Sequence, residues 1–175
     1  MSVSSHLNPE PERRLWIMYE NTRRALEWTD IKLGALTIFA AFQMALIRFI
    51  SPEGLASYAA IVLLAVILPI GILALSPLIE MPIRAPLLEP GADKRGSSDC
   101  MLAVGDIAKH PQMELVILLD KYLGGGITAT QYHEDIVGQI LTSARIATRK
   151  RRLFLAVCVL AGIAQLCLIG QLFRH

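Results

Sequence analysis

Side chains able to do chemistry are few in this chain, and they are scattered. His133-Glu134-Asp135 sets an imidazole beside two carboxylates, a group that could hold a cation but is also the ordinary exposed face of a helix start. The four histidines, at 6, 110, 133 and 175, share no ligand spacing, and neither do Cys100, Cys158 and Cys167. Gly124-Gly125-Gly126 lacks the Lys-Ser/Thr that a phosphate-cradling loop needs, so a hinge is expected there. No HExxH zinc motif and no G-x-S-x-G nucleophile elbow occur. Without an acid–base pair or a nucleophile, the chain is expected not to be an enzyme and to need no metal or cofactor.

The remaining chemistry is that of charge. Arg149-Lys150-Arg151-Arg152 abuts a hydrophobic run, where such clusters are drawn to anionic lipid and fix topology. Alternatively, Arg145 and Arg149 point away from lipid into a cytoplasmic pocket, where guanidinium groups pair bidentately with a phosphate. Asp30 and Lys32 enter another hydrophobic run. Lys32 can snorkel back to water and Trp28 can anchor at the headgroups. Asp30 is either a solvated charge just outside the membrane or a polar contact from helix to helix.

These charges border three apolar blocks. Leu33–Ile50 and Tyr58–Ile79 are separated by only seven residues, and the second is 22 residues without a charge. The third is Leu153–Phe173. A bilayer core about 30 Å thick needs roughly 20 apolar helical residues. Only helices or closed barrels satisfy backbone polar groups in hydrocarbon. The expected fold is therefore all-α: spans at 33–50, 58–79 and 153–173, the first two forming a hairpin, with a small, mostly helical cytoplasmic module at 80–152. Residues 1–10 read as a frayed tail and 11–32 as an amphipathic cytoplasmic helix continuous with the first span. No cleavable signal peptide is expected, because about 30 polar and charged residues precede the first apolar run.

Within the module, the proline-rich stretch 80–99 reads as an irregular connection. Cys100–Ala108 reads as a strand or a buried extended segment. His110-Pro111 opens a helix whose apolar face is Met113, Val116, Ile117, Leu118 and Tyr122. Thr128 or Thr130 caps a further helix in which Ile136, Ile140, Ala144 and Ala147 recur at three to four, and which runs on into the third span. Of 17 Lys and Arg, only Arg48 and Arg174 lie outside the N-terminal arm and 80–152. The positive-inside rule then places the N-terminus and the module in the cytoplasm and the C-terminus in the periplasm.

Asp30-Ile31-Lys32 resembles the D-x-K signature of PycTM, the membrane effector family of the Pycsar anti-phage system. Val104-Gly105-Asp106-Ile107-Ala108 is similar to that family's Gly-Asp-Ile-Ala segment after the second span. Ala103-Val104 stands where the family has an aromatic pair, and Leu33 where it tends to a small residue. Tyr132, Ile136, Gln139, Ser143, Ile146, Ala147 and Lys150 match the spacing of its Y…Q-x-x-x-S-x-x-A-x-x-K helix. The likeness runs over about residues 15–173.

The resemblance implies a two-gene defence by abortive infection. A cognate cyclase makes cUMP or cCMP, and the effector in the bacterial inner membrane responds by impairing membrane integrity. It marks Asp30, Lys32, Gly105 and Asp106 as candidate ligand contacts, beside Arg145 and Arg149. The expected partners are the lipid bilayer, the cyclic pyrimidine mononucleotide and further copies of the chain, since three helices are too few to line a pore. No nucleic-acid polymer is expected. The competing reading is a membrane anchor that recruits a cytoplasmic partner.

Overall fold

The computed structural model describes residues 10–50, 54–76, 103–123 and 130–172. They form five helices: α1 (Glu10–Ile50), α2 (Leu55–Leu75), α3 (Val104–Ile107), α4 (Gln112–Leu123) and α5 (Gln131–Leu172). The tail, the 80–99 connection, the Gly124–Gly126 hinge and the Thr128 cap expected from sequence lie outside the described residues. The two long helices are as the sequence predicts, 41 and 42 residues without a break. Three helices, α1, α2 and α5, are long and apolar enough to cross a membrane.

The chain divides into two compact units, and α1 and α5 contribute residues to both. The first unit takes α1 up to Glu27, then α3, α4 and α5 up to Arg149. Its core joins Leu15 and Met18 of α1, Ile107 and Ala108, Leu115, Val116 and Leu119 of α4, and a stripe of α5 from Ile136 to Ala144. Complete burial of one such Leu or Ile from water is worth about 1.5–3 kcal/mol. Thr22 is also buried, and its hydroxyl donates to the Met18 carbonyl at 2.8 Å, which satisfies it within its own helix.

Two expectations are corrected here. Val104–Ile107 is a helical turn, not a strand or an extended segment. Asp106 and Ile107 N–H groups both bond the Ala103 carbonyl at 3.0 Å, and Lys109 reaches Asp106 at 2.6 Å across helical spacing. On α4 the buried stripe is Leu115, Val116 and Leu119, whereas Met113 is 74% exposed and Ile117 62%. Residues 115 to 119 are all apolar, so periodicity leaves the inward face undecided and packing chooses it.

The second unit holds α1 from Trp28, α2, and α5 from Lys150. Its interior is built from Ala40, Ile47, Ala60, Leu64, Ile67, Val157, Ala161 and Ala164. Its exterior is apolar too: Ile38, Phe42, Phe49, Val159 and Leu166 are all exposed. An apolar shell of this extent matches lipid rather than water as the surrounding solvent. In lipid the drive to bury apolar surface between helices disappears, and close packing holds them instead.

Among the described glycines Gly71 of α2 is the most crowded: an added Cβ there would collide with the Thr37 side chain of α1. Thr37 keeps its own hydroxyl satisfied by donating to the Leu33 carbonyl at 2.8 Å. Gly54, the residue before α2, has φ 156°, a conformation that L side chains rarely adopt. At its other end α2 stops sooner than the expected Ile79. Ser76 has ψ 151° and has left the helix, because the proline that follows disfavours helical geometry in its predecessor.

Candidate functional site

In the first unit, α5 presents Asp135, Gly138, Gln139, Thr142 and Ser143 along one stripe, spaced by three and four. Gln112, the first residue of α4, and Tyr19 of α1 border this stripe, and together they line a wide, solvent-open groove of about 610 Å³. Sites for small molecules run from roughly 300 to 1,000 Å³. The Tyr19 ring is held edge-on by Trp16, with centroids 5.6 Å apart and planes at 89°. Gly138 leaves room for the Gln112 carboxamide, whose Nε2 would stand 3.0 Å from a Cβ placed there.

Among the described residues the lining offers two carboxamides, two aliphatic hydroxyls, a phenol and one carboxylate, and no cation. Thr142 spends its hydroxyl on the Gly138 carbonyl at 2.9 Å. Such a lining suits a polar, planar molecule recognised by paired donors and acceptors.

The six residues singled out from sequence line other places. Asp106 pairs with Lys109 on the α3 turn, beside Gly105. Arg145 donates from Nη2 to the His110 carbonyl at 3.0 Å and so fastens α5 to the segment before α4. Arg149 is partly buried, the last residue of α5 in the first unit. Lys32 is exposed on α1.

Asp30 settles between the two readings open for it. It makes a contact from helix to helix in the second unit, its carboxylate accepting from Lys150 Nζ at 2.7 and 3.0 Å. Lys150 is only 5% exposed at its side chain and Asp30 34%. In sequence Lys150 groups with its basic neighbours as part of a cluster drawn to anionic lipid, whereas the fold turns it to Asp30. The signal was present in the alternation of α5: Val137, Ile140, Ala144 and Ala147 are buried, and Lys150 continues their spacing. Gln139 and Ser143, an i, i+4 polar pair in the sequence, both line the groove. Among the described residues no group of three His, Cys, Asp or Glu could hold a metal ion.

Comparison with known proteins agrees with the likeness read from the signature residues. Neither a curated protein nor a solved structure gives a significant match. The family model for the Pycsar effector protein domain, PycTM, matches residues 14–173, from the first turns of α1 to the end of α5. The chain thus belongs to the PycTM family and is a Pycsar effector with three helices fit to span a membrane.

Proposed function

We propose that this chain is the non-enzymatic membrane effector of an abortive-infection response, switched on by cUMP or cCMP. The first unit lies in the cytoplasm and receives the nucleotide. The second lies in the inner membrane, assembles with further copies and compromises the bilayer when the ligand binds. The C-terminus faces the periplasm, in keeping with 15 of 17 Lys and Arg falling in the N-terminal arm and residues 80–152.

One observation carries this reading. Helices α1 and α5 each contribute to a unit that carries a groove lined by polar side chains, and also to a unit with an apolar exterior. A ligand that favours one arrangement of these helices at the groove biases the same helices within the bilayer. The bias is bounded by the difference in its affinity for the two arrangements. The test is release of a trapped dye from anionic phospholipid vesicles carrying the full chain, with and without cUMP or cCMP. Release that depends on the nucleotide is expected. Equal release in its presence and absence would defeat the sensing claim and favour an anchor that recruits a partner.

A further inference from the structure

We propose that the groove of the first unit receives the base edge and ribose hydroxyl of a nucleotide, with the phosphate left in solvent. This rests on the reading above that the chain senses a cyclic pyrimidine mononucleotide. It places recognition on Gln112, Gln139, Ser143, Tyr19 and Asp135, and away from the arginines.

The argument starts from charge. A phosphate site is built from Arg, Lys or converging backbone N–H groups. Among the described residues no cation lines the groove, and their single charged group there is the carboxylate of Asp135, which repels a phosphate brought beside it. Arg145 is turned to the His110 carbonyl. What the groove offers in quantity is neutral donors and acceptors.

A carboxamide presents an oxygen acceptor and an NH₂ donor side by side. Uracil presents N3–H beside O4, and cytosine presents N3 beside its 4-amino group. Each is a donor next to an acceptor, and a glutamine meets either by turning its amide over. Neither Gln112 nor Gln139 is held by a hydrogen bond among the described residues, so both carboxamides are available. Tyr19, steadied by Trp16, supplies an aromatic wall of the kind on which bases stack. Asp135 can accept from a ribose hydroxyl, and Ser143 can donate or accept.

Gln112 and Gln139 are exposed, so leucine at either position opens no hole in the core. The experiment is titration calorimetry of the detergent-solubilised full chain with cUMP, cCMP and uridine, on the parent, Gln112→Leu and Gln139→Leu. Circular dichroism confirms equal helix content. Each variant is expected to bind cUMP about tenfold more weakly, the scale of one or two lost hydrogen bonds, and uridine is expected to displace cUMP. Parental affinity in both variants would overturn the groove assignment alone, as would displacement by inorganic phosphate but not by uridine. A parent that binds none of the three would overturn the sensing reading, and the groove assignment with it.

Discussion

Lys150 Nζ and the Asp30 carboxylate, 120 residues apart in sequence, meet at 2.7 Å where α5 and α1 enter the second unit. The two partners are unequally buried, and this makes their loss unequal. Asp30→Ala strands an ammonium whose side chain is 95% covered, which costs about 3 kcal/mol. Lys150→Met leaves a carboxylate that still reaches solvent, and about 1 kcal/mol is expected. The double variant, with neither charge, should return close to the parent. Thermal unfolding of the four proteins in one detergent checks the order, and additive losses in the double variant would contradict it.

Gly71→Ala forces a methyl group into the Thr37 side chain, which is β-branched and bonded to the Leu33 carbonyl and so is slow to give way. Overpacking of this kind costs about 1–3 kcal/mol. Thr37→Ala combined with Gly71→Ala removes the clash and should recover most of the loss. The same detergent melts measure it.

At Gly138 the sign reverses. A Cβ there meets only the mobile end of Gln112, and alanine in a helix interior is favoured over glycine by about 0.5–1 kcal/mol. Gly138→Ala is therefore expected to raise the melting temperature. Because it displaces the Gln112 carboxamide from the groove, it should also weaken cUMP severalfold. A stability gain with unchanged affinity would separate Gln112 from the ligand.

Arg145→Met tests whether this guanidinium fastens the fold or holds a phosphate. Loss of its bond to the His110 carbonyl should cost about 2 kcal/mol of stability. Affinity for cUMP in the folded protein should be unchanged, because Arg145 does not line the groove. A fall in affinity at constant helix content would return Arg145 to the ligand site.

The membrane-length helices were legible because their signal is one of composition: a charge-free run of 22 residues needs no partner to be recognised. The bounds of α2 were legible in part: Pro77 marks a helix end in the sequence and Ser76 before it is extended, although the apolar run itself continues to Ile79. The site was harder. Sequence draws attention to charged residues, yet Asp106, Arg145 and Asp30 are each engaged within the fold. The groove is built, Asp135 apart, from neutral glutamine and hydroxyl side chains that lack individual distinction. Only the packing of α1, α4 and α5 gives them a common direction.

The fit of Thr37 against Gly71 also reaches beyond this one chain. Among descendants of a common ancestor, anything bulkier at 71 should survive only where 37 has shrunk, so the two alignment columns should drift as a pair. A lineage keeping threonine at the first while gaining leucine at the second would have had to pull its first two spans apart.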